Sequence, residues 1–203
     1  MYQSKIHSSG FRHSAIPMRN FLKVADGINV HPILFSLQQH PELWNQRTRR
    51  KDSPESPHIA MSDIWVRYND DTAAKASGDY SKFNEMHYPI WYPAIQELSM
   101  IKPLALGLMG KMGATHLGGI LITRIPSGGL IEPHIDSNWH AKFYNCKLYV
   151  PLQTNPKCYN RCEEEAVVMN AGDCWYFNNT VEHEVRNDGT EDRITLIICM
   201  RVE

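Results

Sequence analysis

The sequence has no apolar run near the ~18 to 20 residues that a membrane-spanning helix requires, and its opening stretch MYQSKIHSSGFRHSAIPM has no apolar core of the kind that directs secretion. Both absences predict a cytoplasmic protein with no membrane partner. An excess of either charge is also missing: 21 Lys plus Arg stand against 22 Asp plus Glu, a formal net charge of −1. Binding to a polyanion depends on a basic field, so this balance argues against nucleic acid as a partner. No low-complexity stretch accompanies the 12 glycines and 12 prolines, which excludes fibrous and disordered classes. Five cysteines make an odd set without a secretory context, so reduced thiols are expected rather than a disulfide scaffold. Cys158 and Cys162 with Cys174 lack the matching second half of a structural zinc cluster. Gly107, Gly110 and Lys111 form no phosphate loop, since Met112 stands where that motif needs Ser or Thr.

What is present suits a single domain over 1–203, with 42% hydrophobic and 21% charged residues. Ten histidines and five tryptophans stand out in so short a chain. Charge is segregated: residues 1–51 carry eight basic and two acidic side chains, and residues 52–100 carry three and eight. The segment HPILFSLQQHPELW places Pro32 in a first helical turn and predicts a short helix. NQRTRRKDSPESPH (45–58) reads as an exposed loop, with its Arg-Thr-Arg-Arg-Lys cluster facing solvent. MSDIWVRY (61–68) alternates Ile64, Val66 and Tyr68 against Trp65 and Arg67, which predicts a half-buried strand with Arg67 on the face that enters the site or meets solvent. Residues 69–88 read as another loop, and 93–113 as two helices meeting near Pro103.

From about residue 117 the pattern changes to eight short β segments: GGILITRI, LIEPHID, CKLYVPLQ, KCYNRC, EAVVMN, DCWYFN, EHEVRN and DRITLIICM. The fold class predicted is mainly β with flanking helices, a double-stranded β-helix or cupin-like jelly roll. Residues 117–203 would form its core, and 1–116 a helical and loop support that roofs the pocket.

The chemistry concentrates in this second half. His134 and Asp136 are two residues apart on a strand and so share a face. His183 follows 47 residues after Asp136, flanked by Val181 and Val185. Two imidazoles and one carboxylate make the facial triad of non-haem Fe(II) oxygenases, which leaves positions open for substrates. Ten residues beyond His183, Arg193 and Thr195 share a strand face. A dicarboxylate cosubstrate such as 2-oxoglutarate needs a planar bidentate donor for its far carboxylate, which arginine supplies, and a hydroxyl adds a further donor. The competing reading of Arg193 is a surface pair with Glu184 or Glu191.

On these segments the chain resembles the Fe(II)- and 2-oxoglutarate-dependent dioxygenases, and within them the aspartyl/asparaginyl β-hydroxylase-like family, over roughly residues 117–201. LITRIPSGGLIEPHID and AGDCWYFNNTVEHEVRNDGTEDRITLIICM carry the resemblance. It implies Fe(II), 2-oxoglutarate and dioxygen as cofactors, with His134, Asp136 and His183 as metal ligands. It also implies cosubstrate contacts from Thr123, Lys147 and Tyr149 alongside Arg193 and Thr195. The family's namesake has Arg and His where this chain has Lys147 and Tyr149, and some members lack the carboxylate that Asp136 provides. Halogenating variants need that ligand position vacant, so Asp136 argues for hydroxylation. The implied reaction hydroxylates a C–H carbon of a free amino acid or of a peptide or protein side chain, with decarboxylation of 2-oxoglutarate to succinate.

Around this centre, Glu132, Glu182 and Glu184 are the nearby carboxylates able to accept the imidazole N–H protons. His140 and Trp139 are candidates for the substrate mouth, Trp175 reads as core, and Arg124 should face away from Thr123. The alternative function is a non-catalytic cupin-like module that binds a metal or small molecule, in which a dicarboxylate anchor at Arg193 and Thr195 has no purpose.

Overall fold

Along the last strand, Arg193, Thr195, Ile197 and Cys199 alternate with Ile194, Leu196, Ile198 and Met200. Such a strand is buried on both faces only if it lies between two layers. The computed structural model, which describes residues 19–52 and 54–203, shows that arrangement. The opening segment 1–18, in which no apolar signal core was found, lies outside the described residues. No described helix is long and apolar enough to cross a membrane.

Among the described residues, eleven strands form two antiparallel sheets: β1 (Phe21–Ala25), β2 (Ser62–Asn69), β3 (Pro89–Trp91), β4 (His116–Ile125), β5 (Leu130–His134), β6 (Cys146–Gln153), β7 (Cys158–Cys162), β8 (Glu165–Val167), β9 (Cys174–Phe177), β10 (His183–Asn187) and β11 (Arg193–Arg201). The larger sheet runs β1-β9-β6-β11-β4-β2-β3 and the smaller β5-β10-β7-β8. The architecture is a jelly roll. Each of the eight β segments read from the sequence corresponds to one of β4–β11.

The outer face of the larger sheet packs under helices α1 (His31–Gln39) and α3 (Ile101–Met112), burying Ile33, Leu37, Ile101, Ala105 and Leu108 against Ile120, Ile122, Leu148, Val150, Leu196 and Ile198. Its inner face carries Leu121, Ile125, Tyr149 and Ile197, which meet Ile131 and Val185 of the smaller sheet. Thr123, Lys147, Arg193 and Thr195 are also buried and share this inner-facing alternation. One inner surface thus supplies both the apolar core and a polar interior.

The first half departs from its sequence reading in several places. Strands β1 and β3 form at the two edges of the larger sheet, so residues before 117 extend the sheet as well as covering it. The loop 69–88 contains a short helix α2 (Thr72–Ser77), and residues Arg49–Lys51 form a 3₁₀ turn. Pro103 does not separate two helices. A 3₁₀ turn at Pro93–Ile95 precedes α3, and Pro103 sits in the first turn of α3, where a missing N–H breaks no intrahelical bond. The helix ends at Gly113, whose φ of 63° lets its N–H close on Gly110 and Met109. Finally, β2 shifts register against β4 between Trp65 and Arg67. This bulge inverts the expected alternation: Ile64 and Val66 join the helix-side core, whereas Tyr68 packs with Trp65 on the inner side.

Candidate active site

Antiparallel pairing of β5 with β10 sets His134 directly opposite His183, with ring centroids 4.2 Å apart. Asp136 lies two residues beyond the end of β5, tied by its backbone N–H to Asn179 O, so the carboxylate reaches the histidines from a turn rather than from the strand itself. Ligand atoms of His134, Asp136 and His183 all fall within 4.8 Å of one another, the one such group among the described residues. Asp136 Oδ1 is 3.7 Å from His134 Nε2. The imidazole Nδ1 atoms donate to backbone carbonyls, His134 to Glu132 O at 2.7 Å and His183 to Val181 O at 2.9 Å. These bonds fix both rings with Nε2 unprotonated, and His134 Nε2 is buried without a partner. Two oriented nitrogen donors and a carboxylate oxygen fit a divalent metal with open coordination positions.

The carboxylates expected to hold the rings do other work. Glu182 and Glu184 both pair with Arg161, at 3.2 and 3.0 Å, and Glu132 serves through its main-chain oxygen. Strand alternation turns the Glu182 and Glu184 side chains to the face opposite His183, whereas a carbonyl two residues before each histidine is already in reach.

Electrostatics keep all three groups ready for a cation. Burial pushes the His183 imidazole down to about 4, reinforced by the Lys147 ammonium, and burial lowers that of His134. Burial alone would raise Asp136, but the charge and hydrogen bond of Lys147 and the amide of Asn179 outweigh it and hold the carboxyl well below its usual range. Lys147 Nζ is 2.7 Å and Asn179 Nδ2 2.8 Å from the same oxygen, Oδ2.

Behind the triad, Arg193 is 2% exposed. Its guanidinium bonds Asn160 Oδ1 at 3.1 Å and lies 5.7 Å from the Tyr149 ring centre, and no carboxylate among the described residues pairs with it. The surface pair with Glu184 or Glu191 is therefore not formed. Thr195 is fully buried, its Oγ1 has no partner, and it pairs across the sheet with Thr123. A buried unbalanced guanidinium beside an orphaned hydroxyl is costly unless a ligand completes it, and a carboxylate supplies both the charge and the acceptors. The fit to 2-oxoglutarate rests on these two atoms.

A cavity of about 280 Å³ opens beside the triad and is bordered by Asp136 and Lys147. His140 borders it too, with its Nε2 accepting the Gly119 N–H at 3.1 Å. Trp139 and Arg67 do not. The β2 bulge turns Arg67 away to bond the carbonyls of Pro89 and Leu117, and Trp139 stacks on Phe143 in the short helix α4 (Trp139–Phe143) with centroids 4.8 Å apart. Both line a separate groove. Arg124 faces outward over Trp44, as expected, and Trp175 is half-buried with its Nε1–H on Asp173.

Sequence reasoning missed the roof. The basic cluster of residues 47–51 is structural rather than solvated: Arg47 pairs with Asp71 at 2.8 Å and Arg50 with the buried Asp63 at 3.1 Å. Arg50 and His58 border the cavity, and the His58 ring meets His134 edge-on at 5.0 Å. Only the downstream acids Asp63 and Asp71, opposite in sign to that cluster, hinted at these pairings.

A family model for aspartyl/asparaginyl beta-hydroxylase matches residues 94–202. No curated protein matches the chain. Among solved structures, a viral collagen prolyl hydroxylase from Paramecium Bursaria Chlorella virus-1, in complex with 2OG, is similar at 10% identity and a TM-score of 0.52, over 91% of this chain and 97% of that one. An oxidoreductase of the 2OG-Fe(II) oxygenase family from Burkholderia pseudomallei is similar at 11% identity and a TM-score of 0.51, over 70% of this chain and 66% of that one. At such identities these structures speak for the jelly-roll fold. The family match spans more than half of the chain and includes every triad residue, and this protein belongs to the aspartyl/asparaginyl beta-hydroxylase family.

Proposed function

We propose that this single-domain protein hydroxylates a C–H carbon of an amino acid or of a peptide or protein side chain, with decarboxylation of 2-oxoglutarate to succinate. In this reading His134, Asp136 and His183 hold Fe(II), and Arg193 and Thr195 anchor the far carboxylate of 2-oxoglutarate with Thr123 and Tyr149 beside them. The observation that carries it is the buried Arg193, without a carboxylate partner among the described residues and next to the orphaned Thr195 hydroxyl, in the same interior as the triad. When bound, the iron and 2-oxoglutarate supply the oxidation of an unactivated C–H bond by dioxygen. The chain's own task is to orient and to exclude water. Backbone carbonyls fix the imidazoles, Lys147 and Asn179 fix the Asp136 carboxylate, and the rings of Trp65, Tyr68 and Tyr144 line part of the cavity beside the metal position. Five free, buried cysteines support a reducing, cytoplasmic setting.

Anaerobic addition of Fe(II) and 2-oxoglutarate should give a weak visible charge-transfer band, and admission of air should yield succinate, stimulated by one member of an amino-acid and peptide panel. Absence of both the band and succinate would sink this reading.

A further inference from the structure

Arg67 stands just past the bulge in β2. Its Nη1 donates to Pro89 O on β3 and its Nη2 to Leu117 O on β4 at 3.1 Å, so the side chain bridges the strands on either side of its own. Arginine carries five N–H donors. Nε is shut in without a partner, and one further N–H on each terminal nitrogen has no hydrogen bond within the described residues. No carboxylate among those residues pairs with Arg67, and carbonyl dipoles leave its charge unbalanced. Burial lowers its pKa below the usual arginine value. A half-buried cation in this state favours an anion brought from outside.

Arg67 lines an open groove of about 720 Å³, distinct from the cavity beside the triad. Trp139, Phe143 and Tyr144 contribute their rings to it, and among the described residues no acidic side chain does. Met86, Tyr88 and Ile90, all on this groove, are 50%, 70% and 37% exposed. Single exposed apolar side chains are ordinary, but three on one groove mark a contact surface. A second cation, Arg201, has its guanidinium 5.0 Å from the Phe143 ring centre and reaches a carboxylate only at the exposed Glu203, 3.9 Å away. The groove therefore complements an apolar ligand that carries negative charge.

The backbone favours a peptide over a simple fatty acid. β3 ends the larger sheet, and its Pro89 and Ile90 line the groove, so an open strand edge adjoins the apolar surface. An extended main chain can pair with such an edge, which a hydrocarbon tail cannot. Tyr144 borders both the groove and the triad cavity, and His87 of the groove packs against His140 of the cavity at 4.9 Å. A segment held here lies one ring away from that cavity.

We propose that this groove is a docking surface for a short peptide segment in which a carboxylate, received by Arg67, is flanked by apolar side chains.

The test titrates the full chain calorimetrically with defined probes. One pair is acetyl-Gly-Ser-Leu-Asp-Phe-Ser-Gly-amide and its Asn counterpart, with a Lys counterpart as a third member. The other is acetyl-Gly-Ser-Phe-Leu with a free C-terminal carboxylate and the same peptide as its amide. Decanoate is the non-peptide acid. At least one carboxylate peptide should bind, its neutral counterpart about tenfold more weakly, and the Lys peptide not measurably. Which pair responds tells a side-chain carboxylate from a C-terminal one. Arg67→Met should abolish the preference for acid over amide. Tyr88→Glu should weaken the carboxylate peptide at least tenfold with an unchanged urea midpoint, because the Tyr88 side chain is exposed and its bond to Asn69 Oδ1 comes from the main-chain N–H. If Arg67→Met does not fold, Tyr88→Glu and the acid-to-amide ratio decide. Equal binding of acid and amide, binding unchanged in Tyr88→Glu, binding of decanoate alone, or no binding at all overturns the proposal. Peptide binding that requires Mn(II) and 2-oxoglutarate also overturns it, since the segment then sits in the triad cavity. The groove asks nothing of the metal, so this proposal and the hydroxylase reading fail separately.

Discussion

Lys147 Nζ lies 2.7 Å from Asp136 Oδ2, and Asn179 approaches the same oxygen at 2.8 Å, so both donors crowd one side of the carboxylate and leave Oδ1 turned toward His134. The family resemblance implies a cosubstrate contact for Lys147, whereas its position in the fold makes it a support for Asp136. The two roles separate in a binding experiment. Lys147→Met should weaken Mn(II) or Co(II) binding by about tenfold or more, in the range seen when a group supporting a metal ligand is removed. At saturating metal, the affinity for 2-oxoglutarate should change little. A variant that loses 2-oxoglutarate and keeps its metal would return Lys147 to the cosubstrate.

Arg193 invites a prediction with opposite signs for stability and binding. Its guanidinium is buried with one hydrogen bond, to Asn160, and no charge partner among the described residues, so the ligand-free fold carries an uncompensated ion. Arg193→Met fills similar space without the charge, and the ligand-free protein should gain stability by about 1–4 kcal/mol, read as a higher urea midpoint. The same change should cost 2-oxoglutarate about 3 kcal/mol of affinity, near 100-fold, with Mn(II) binding retained. A destabilised variant with intact 2-oxoglutarate binding would mean that Arg193 serves the core.

The contrast between these two basic residues shows what the sequence could and could not convey. His134, His183 and Arg193 were legible because strand alternation is a local rule that turns their side chains to one interior, whereas Asp136, read from the same rule, joins them from the turn after β5. The jelly roll followed from the same period over β4–β11. Lys147 was legible as an inward residue but not as a partner of Asp136, since that pairing depends on where the turn after β5 folds back. Arg67 failed for a sharper reason: a single bulge in β2 reverses every inference drawn from alternation beyond it. Arg50 and His58 sit in a segment rich in polar residues and proline, where no period exists to read. Their positions come from ion pairing with Asp63 and from contact with His134, both distant in sequence or unsignalled by spacing.

His87 and His140 pack with ring centroids 4.9 Å apart, and burial pushes them down to about 4 and about 3, the second aided by the charge that His87 would carry. In the unfolded chain each returns to its ordinary value of 6.5. Below that pH the unfolded chain takes up protons that the folded protein refuses. Stability from this pair is therefore full above pH 6.5 and falls as pH drops toward 4 and then 3, by up to about 1.4 kcal/mol per pH unit for each histidine. Urea midpoints of the metal-free protein at pH 7.5, 6 and 5 should decline in that order. His87→Leu, whose native ring has both nitrogens buried without partners, should flatten the decline. A midpoint independent of pH over this interval would contradict the assignment.

The cavity wall also depends on an atom that is missing from the chain. A Cβ at Gly119 would lie 2.8 Å from the Tyr68 ring and 2.9 Å from His140 Nε2, closer than side chains tolerate, and the Gly119 N–H is itself the donor to that nitrogen. Both rings border the cavity, and neither belongs to the triad. Gly119→Ala must therefore push Tyr68 or His140 into the space beside the metal position, at a cost of about 1–3 kcal/mol in stability. Mn(II) affinity should stay near that of the unaltered protein, because the ligands lie on β5, on β10 and in the turn after β5 while Gly119 lies on β4. Substrate-stimulated succinate formation should fall at least tenfold, with a smaller fall in the basal turnover of 2-oxoglutarate. A parallel loss of metal binding would mean that the β4 backbone supports the triad directly. Equal losses of basal and stimulated turnover would place the effect on the cosubstrate side rather than in this cavity.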